Sequence, residues 1–418
     1  MLALFSFSLL VGATSGVPVV SVGLDVAHQD DFSELRGKNV AILTTPSGVL
    51  SDSLIHLVDV LHFGKDRYNV SISGVLAAEH GFRGDHQAES GDPDSYVDPV
   101  TGITVHSVYR KNASSIALIL NGVDVVISDF QDAGVRLYTF IWTMYTVLEG
   151  VSLIDSGRRP SVVVLDRPNP LGGEVIEGPL LNTSCCSSRY GRASIPHIHG
   201  MTVGELGKMF SSLHFPGIDL KVVPMKGWSR GMLFGDTSLP WILPSPNLPT
   251  SSMISDYASN VFLEATTVSE GRGTTLPFSL FGAPWLNAES FASSLNSLCG
   301  EDTSKQNAYR AAYFTPTWFK YNKTVCKGAQ HAGSPVKKTF RRAVCTLKVL
   351  RNASSHFEWD GSWFGWGPPS FRLVDLYAGT PEFRRLIDSP ATTVDAIVQK
   401  FQSDAETFAS TRAPYLLY

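Results

Sequence analysis

The chain has 418 residues, of which 43% are hydrophobic and 17% are charged, and its formal net charge is -4. This length and apolar content are enough for a substantial core and predict two domains. Because basic residues are not in excess, no surface to bind a phosphate backbone is indicated, and we expect no nucleic-acid partner.

The N-terminus, from Leu2 to Gly16, is an apolar run followed by small residues. It predicts a signal peptide over residues 1–16, and the run is too short for a comfortable membrane span. A buried strand is the alternative, since no Lys or Arg precedes the run. Five Asn-x-Ser/Thr sequons occur, at Asn69, Asn112, Asn182, Asn322 and Asn352. They also favour export, to the exterior or to an endomembrane or lysosomal lumen.

The cysteines predict accessory disulfides and not a disulfide framework, because their number is odd. They are Cys185, Cys186, Cys299, Cys326 and Cys345. No C-x-x-C spacing occurs, so a structural zinc site is not expected. The adjacent Cys185 and Cys186 are not expected to bond to each other, although each could pair elsewhere.

Apolar runs alternate with helical patterns along the first half of the chain. Strands are predicted at 39–44, 70–77, 123–128, 161–165 and 220–224. Helices are predicted at 51–63, 138–150 and 202–213, the last with Thr202 as N-cap and Glu205 three residues later. Continuous apolar strands between helices predict an α/β fold, with a Rossmann-like, doubly wound, mostly parallel sheet. No G-x-G-x-x-G follows the first strand, so no nucleotide cofactor is expected.

From about Asn260 the pattern changes, with Pro, Gly and aromatic residues concentrated in 271–285 and 359–371 and a helical pattern at 392–408. We therefore expect a Rossmann-like catalytic domain over residues 17–259. A smaller α/β domain over residues 260–418 is expected to close the cleft.

Three predicted strands run into acidic residues, Glu79, Asp129 and Asp166. Ligands bind outside the carboxyl ends of parallel strands, so these acids are expected to share one site. His80 and Arg83 follow Glu79 on a glycine turn, where burial could raise the pKa of Glu79 and make it a general acid. The alternative is a structural salt bridge between Glu79 and Arg83.

A second group of polar residues comprises Asp129, Gln131, Asp132, Arg136 and Tyr138. Two acids near an Arg and a Tyr fit either a clamp for sugar hydroxyls or a metal site. The structural alternative is that Asp132 caps a helix beginning near Gly134 and pairs with Arg136.

Further candidate residues lie in loops: Asn169 between two prolines, Glu177 before Gly-Pro, His199 before a helix, Asn247 after Pro-Ser-Pro, and, following Glu264, Glu270 and Arg272 on a glycine loop. Rigid proline loops suit a polar side chain directed at a ligand. The alternatives are rigid turns, a helix cap and an interdomain salt bridge.

These strings occur in one order along the chain. They are Glu79-His80-Gly81, Asp129-x-Gln131-Asp132-x-Gly134-x-Arg136-x-Tyr138-Thr139, Asp166-Arg167-Pro168-Asn169-Pro170, Glu177-Gly178-Pro179, His199-Gly200-Met201-Thr202, Pro244-Ser245-Pro246-Asn247 and Ser269-Glu270-Gly271-Arg272. Together they resemble the exo-β-N-acetylmuramidase family of glycoside hydrolases, first catalogued as a domain of unknown function. The resemblance covers nearly the whole chain, from about Gly23 to Tyr418.

The resemblance implies removal of β-linked N-acetylmuramic acid from the non-reducing end of peptidoglycan fragments, in a cleft between two domains and without nucleotide or metal. It implies that Glu79 and Glu177 are the catalytic acids and that a small saccharide or muropeptide is the partner. Ala78 and Thr45 stand where the family commonly has Pro and Asn, which affects the expected sugar pocket more than the reaction class.

We therefore predict a secreted glycosidase in which one carboxylic acid protonates the glycosidic oxygen and a second carboxylate assists at the anomeric carbon. Substrate-assisted catalysis, with Asp129 or Glu79 orienting the N-acetyl group, is an alternative. Arg83, Arg136 or Arg272 is expected to pair with the lactyl carboxylate, since Arg suits planar bidentate recognition.

Two other classes of protein remain open. One is a metal-dependent hydrolase using His80, Asp129, Asp132 and His199. The other is a non-catalytic, two-lobed sugar-binding protein. Under the glycosidase prediction, the substrate-binding residues are His80, Arg83, Asp129, Gln131, Asp132, Arg136, Tyr138, Asp166, Asn169, His199, Asn247, Glu270 and Arg272.

Overall fold

The computed structural model describes residues 20–87, 94–299, 308–333, 338–360 and 372–418. The signal peptide expected over residues 1–16 lies outside the described residues. Within these ranges no helix combines the length and apolarity needed to cross a membrane.

Seven strands form the larger sheet, in the order β3-β4-β2-β1-β5-β6-β7. They are β1 (Asn39–Thr44), β2 (Ser71–Ala77), β3 (Ser95–Val97), β4 (Thr104–Ser107), β5 (Val125–Asp129), β6 (Ser161–Leu165) and β7 (Leu220–Val223). Neighbours pair in parallel, except that β3 is antiparallel to β4. The doubly wound, mostly parallel sheet predicted from the apolar runs is confirmed.

Helices cover the sheet and build most of the second half of the chain. They are α1 (Gly23–Gln29), α2 (Leu57–Phe63), α3 (Lys65–Tyr68), α4 (Ala113–Ile119), α5 (Phe140–Ser152), α6 (Thr183–Cys186), α7 (Val203–His214), α8 (Ile254–Asn260), α9 (Ala288–Cys299), α10 (Thr339–Ala353), α11 (Leu373–Ala378), α12 (Pro381–Asp388), α13 (Val394–Lys400) and α14 (Gln402–Arg412).

Helix α7 has the predicted capping box, in which the Thr202 hydroxyl accepts from the Glu205 amide and the Glu205 carboxylate accepts from the Thr202 amide. Two other helical predictions differ from the structure. The helix predicted at 51–63 begins only at Leu57, because His56 caps it by accepting a hydrogen bond from the Val58 amide. The pattern at 392–408 is interrupted at Phe401, which separates α13 from α14.

The two faces of the sheet are buried against different layers. Val40 and Ile42 of β1 pack in one core with α2, whereas Ala41 and Leu43 pack in another with α5 and α7. Successive side chains of a strand point to opposite faces, so a strand covered on both faces reads as a continuous apolar run.

A smaller antiparallel sheet, in the order β8-β10-β9, lies in the second half of the chain. Its strands are β8 (Leu280–Ala283), β9 (Tyr309–Phe314) and β10 (Cys326–His331). Phe281 of β8 and Phe340 of α10 belong to the same hydrophobic core as α5. The second α/β unit is therefore packed directly onto the first.

Two disulfides occur, Cys185–Cys186 and Cys299–Cys345, and Cys326 is a buried free thiol. The expectation that Cys185 and Cys186 do not bond to each other is therefore wrong. Both lie at the end of the one-turn helix α6, with their Cα atoms 3.8 Å apart.

Candidate active site

Glu79 follows β2 and lies in a pocket beyond the carboxyl end of that strand. Of the residues singled out by the sequence, Glu79, His80, Tyr138, Asn247 and Arg272 line this pocket. The other lining residues are Tyr109, Leu137, Thr139, Tyr190, Ser245, Leu248, Tyr257, Val261, Glu264, Phe278 and Tyr377. The pocket therefore draws on both halves of the chain, and we call it the inner pocket.

The turn after β2 positions Glu79 at the inner pocket. His80 and Gly81 have φ angles of 75° and 74°, in the left-handed region that a residue with a side chain rarely adopts. The His80 ring is held by a 3.1 Å contact between Nδ1 and the carbonyl oxygen of His86. Such a conformation costs free energy and is maintained by its surroundings, as is common at functional sites.

Two hydroxyl groups contact the Glu79 carboxyl. Thr139 Oγ1 donates a 2.7 Å hydrogen bond to Oε2, and the Tyr109 side chain forms a second hydrogen bond with this carboxyl. Burial raises the pKa of Glu79, while the Thr139 bond and the charges of Arg272 and Arg189 act in the opposite direction. A carboxyl whose protonated form is favoured by burial is suited to general-acid chemistry.

Glu264 is a second carboxyl in the wall of the inner pocket. It lies in the 3₁₀ turn Val261–Ala265, where Arg272 Nη2 and the Tyr377 hydroxyl each donate a 2.6 Å hydrogen bond to it. Burial raises the pKa of Glu264, and the Arg272 charge opposes this. From the sequence, Glu264 was noted only as the residue preceding the glycine loop. No motif around it predicts that its carboxyl points into a pocket.

Glu270 does not line the inner pocket; it is buried between two cations. Its Oε1 lies 3.3 Å from Arg272 Nε and its Oε2 lies 3.1 Å from Lys320 Nζ. The Arg272 guanidinium therefore lies between Glu264 and Glu270. The arrangement fixes Arg272 at the pocket wall.

Asp129 forms a buried ion pair with Arg167 and does not line the inner pocket. Arg167 Nε and Nη2 lie 2.5 Å and 3.0 Å from the two carboxylate oxygens. This bidentate pair occupies both oxygens at the end of β5. The expected sugar-hydroxyl clamp is therefore not found at Asp129.

Asp166, at the end of β6, is also turned into the protein. Its carboxylate accepts hydrogen bonds from the Thr202 hydroxyl (2.7 Å), the Gly204 amide (2.8 Å) and the Tyr418 hydroxyl (2.9 Å). Burial raises its pKa to about 6. Asn169 likewise contacts backbone, donating to the Met201 carbonyl.

Glu177 lies at the N-terminus of α10. Its Oε2 accepts hydrogen bonds from the Phe340 amide (2.9 Å) and the Thr339 hydroxyl (3.1 Å). A carboxylate here satisfies a free amide and interacts favourably with the helix dipole. The structure therefore gives Glu177 the contacts of a helix cap and does not bring it into the wall of the inner pocket.

Asp132 and His199 lie together, with Oδ2 3.3 Å from Nε2. Asp132 also accepts a hydrogen bond from the Gly134 amide, but no helix begins there and Arg136 is not its partner. Arg136 instead donates to the Tyr377 carbonyl at 2.9 Å and is fully buried, which lowers its pKa to about 9.

Gln131 and Arg83 also have structural contacts outside the inner pocket. Gln131 Nε2 donates to the Asp132 and Pro168 carbonyls, each at 2.8 Å. Arg83 forms ion pairs with Asp59 at 2.8 Å and Asp98 at 2.9 Å. The alternative pairing of Arg83 with Glu79 is not formed.

The four residues of the metal-site alternative are separated into different contacts. His80 lines the inner pocket, Asp129 pairs with Arg167, and Asp132 pairs with His199. Across residues 20–87, 94–299, 308–333, 338–360 and 372–418, no group of three or more His, Cys, Asp or Glu side chains converges as a metal site.

Comparison with known proteins identifies relatives over both halves of the chain. The family model described as exo-beta-N-acetylmuramidase NamZ, N-terminal, matches residues 40–252, and the corresponding C-terminal model matches residues 256–418. The peptidoglycan beta-N-acetylmuramidase NamZ of Bacillus subtilis (strain 168) is 38% identical over 405 residues, which is 97% of this chain and 93% of that protein.

Two solved structures have the same fold. Both are DUF1343 family proteins from Bacteroides fragilis NCTC 9343, each 27% identical to this chain, with TM-scores of 0.77 and 0.71. Each alignment covers 96% of this chain and 99% of the solved one.

Proposed function

Because this chain belongs to the exo-beta-N-acetylmuramidase NamZ family, we propose a paired-carboxylate mechanism at the inner pocket for the removal of terminal N-acetylmuramic acid from peptidoglycan fragments. The chain is a glycosidase of this family. The observation that carries the mechanism is that two carboxyls with different surroundings, Glu79 and Glu264, line one pocket.

Glu79 is proposed as the proton donor. Its hydrogen bonds with Thr139 and Tyr109 come from neutral hydroxyls, and burial favours its protonated form. It can then transfer a proton to the glycosidic oxygen as the bond to the leaving sugar breaks.

Glu264 is proposed as the second carboxylate. Burial raises the pKa of Glu264 as it does that of Glu79, but the direct contact with the Arg272 guanidinium opposes this rise and favours the ionised form. The Tyr377 hydroxyl donates to the second oxygen. A negative charge in the pocket wall would stabilise an oxocarbenium-like transition state or activate water. Acid and base roles require two carboxyls with different pKa values, and unequal surroundings produce such a difference. Glu264 thereby replaces Glu177, for which the family resemblance had implied this catalytic role.

Export with N-glycosylation is proposed as the cellular context. The apolar N-terminus supports it, and so does the exposure of all five sequon asparagines, at Asn69, Asn112, Asn182, Asn322 and Asn352. A bulky glycan must lie at the surface of the folded protein. Secretion from a eukaryotic host, followed by enzymatic deglycosylation, should lower the mass; a secreted product of unchanged mass would contradict glycosylation.

The activity is tested with a chromogenic β-N-acetylmuramide and the matching β-N-acetylglucosaminide. We expect release from the muramide and little from the glucosaminide. Glu79→Gln should lower kcat by about 10²- to 10⁴-fold, the usual contribution of a general acid, with an unchanged circular dichroism spectrum. Binding without turnover by the wild-type protein would support the sugar-binding alternative instead.

A further inference from the structure

A larger cavity, of about 730 Å³, lies beside the inner pocket and shares Tyr109, Thr139 and Tyr190 with it. We call it the outer cavity. Four cationic residues are among its lining residues: Arg110, Lys111, Arg189 and Arg192. Among the described residues that line it there is no Asp or Glu. Two of the four are paired with acids outside the lining, Lys111 with Asp94 at 3.0 Å and Arg192 with Glu149 at 2.9 Å. With Arg110 and Arg189 they make a cationic lining suited to an anionic ligand.

The chemistry of the substrate indicates where a cation is needed. A muramide differs from a glucosaminide by a lactyl ether on C3, and C3 is only two ring positions from the anomeric carbon. The lactyl carboxylate must therefore lie close to the acid that cleaves the glycosidic bond. A cation near that acid would recognise the lactyl carboxylate and so favour muramides, and a planar guanidinium suits a carboxylate.

The three arginines that the sequence analysis proposed for binding the lactyl carboxylate either lie outside both cavities or are already paired with carboxylates. Arg83 and Arg136 line neither the inner pocket nor the outer cavity. Arg272 lines the inner pocket, but its guanidinium lies 2.6 Å from Glu264 and 3.3 Å from Glu270. Its charge is balanced by these two carboxylates.

Arg189 lies where the two cavities meet. Its Nη1 donates a 3.1 Å hydrogen bond to the Tyr109 hydroxyl. Its guanidinium carbon lies 5.6 Å from the centre of the Tyr109 ring and 5.8 Å from that of Tyr190. Cation–π contacts of this kind favour a fixed position for the guanidinium. The charge of Arg189 also favours ionisation of Glu79, which supports their proximity.

We propose that Arg189, positioned by Tyr109 and Tyr190, binds the lactyl carboxylate of the terminal N-acetylmuramic acid and thereby sets the preference for muramides. This rests on the proposed function. Arg189 is a specificity residue: it contacts the substituent that distinguishes the substrate and takes no part in proton transfer.

The test compares two chromogenic substrates, the β-N-acetylmuramide and its lactyl N-methylamide, which keeps the substituent but removes its charge. The wild-type protein should cleave the acid with a kcat/KM about 10- to 100-fold higher than the amide, the range expected for one charged hydrogen-bonded contact. Arg189→Gln should lose this preference through a lower kcat/KM on the acid alone. Arg158→Gln, at an exposed arginine paired with Asp155, is the control and should keep it.

Each other outcome has a definite meaning. An equal loss of kcat/KM on both substrates would show that Arg189 acts through Tyr109 on Glu79. No loss on either substrate would show that Arg189 does not contact the lactyl carboxylate. Both outcomes overturn the proposal while the muramidase assignment stands. Cleavage of neither substrate by the wild-type protein would overturn the proposed function itself. If Arg189→Gln does not fold, the test uses Arg189→Lys, which must retain a preference for the acid substrate. A folded Arg189→Lys variant that lacks this preference also overturns the proposal.

Discussion

The Thr139 hydroxyl donates a 2.7 Å hydrogen bond to Oε2 of Glu79. Thr139 immediately precedes α5, yet its side chain does not cap that helix and contacts the acid instead. The bond connects the turn after β2 with the beginning of α5. Because it favours the ionised carboxyl, it opposes the effect of burial on the pKa of Glu79.

Replacing Thr139 by Val should therefore raise the pKa of Glu79 further. A general acid is active while protonated, so the alkaline limb of the kcat profile should move to higher pH. The measurement is kcat against pH for wild type, Thr139→Val and Thr237→Val. Thr237 has a buried hydroxyl that donates to the Phe234 carbonyl, and neither residue lines the inner pocket, so its variant should leave the limb in place. A shift to lower pH in Thr139→Val would contradict the assignment of Glu79.

Glu264→Gln and Glu177→Gln distinguish the two candidates for the second carboxylate. Glu264→Gln should lower kcat by at least about 10²-fold, because a charge beside the developing oxocarbenium ion is lost. Glu177→Gln should leave kcat within about twofold and lower the free energy of unfolding by about 0.3–1 kcal/mol, as for loss of a negative charge at a helix N-terminus. Kinetics and denaturant unfolding of both variants measure this, and the reverse pattern would restore Glu177 as the catalytic partner.

Asp166 should make the free energy of unfolding depend on pH. Its pKa is raised in the folded protein from 3.8 to about 6, so the folded state holds the proton more tightly. This stabilisation, about 3 kcal/mol, is complete below the unfolded pKa and is lost as the pH rises through about 6. The Tm of Asp166→Asn relative to wild type should therefore increase between pH 4 and pH 7.5. A difference in Tm that does not change with pH would contradict this prediction.

The Cys299–Cys345 disulfide joins the end of α9 to the middle of α10 across 46 positions of sequence. Closing such a loop restricts the unfolded chain, and the double variant Cys299→Ala, Cys345→Ala should lose about 2–4 kcal/mol of unfolding free energy. Guanidinium unfolding at pH 7 measures the loss. The wild-type protein in a strong reductant should approach the variant; equal stability of oxidised wild type and variant would show that the disulfide is absent in solution.

The sheet could be predicted because its central strands are covered on both faces. β1 and β6 begin and end at the predicted residues, as continuous apolar runs bounded by turns. β3 and β4 were missed, because these short strands at one edge are partly exposed and lack such a run. Edge strands are specified by their neighbours more than by their own residues.

The position of an acid at the end of a strand does not determine the direction in which its carboxyl points. The ends of β2 and β6 were predicted correctly and that of β5 to within about one residue, but only Glu79 faces the inner pocket. Asp129 turns to Arg167, and Asp166 turns to Thr202. The direction of a carboxyl depends on which donor lies nearest in space, and that donor can come from distant sequence.

The aromatic wall of the inner pocket was missed for a related reason. Tyr109, Tyr190, Tyr257 and Tyr377 come from four separate segments, and an isolated tyrosine usually belongs to the core. No short motif contains two of them. Only the fold brings their rings together around Glu79.

The inner pocket takes Glu79 and Asn247 from the segment matched by the N-terminal family model, and Glu264 and Arg272 from the segment matched by the C-terminal one. Under the proposed mechanism, neither segment carries both carboxyls by itself. Exchange of one segment between relatives would join an acid from one ancestor to a carboxylate and a cation from another. Mutations in the two segments are therefore expected to accumulate in compensating pairs. A chimeric enzyme should be active only when the pocket-lining residues of its two parents are compatible.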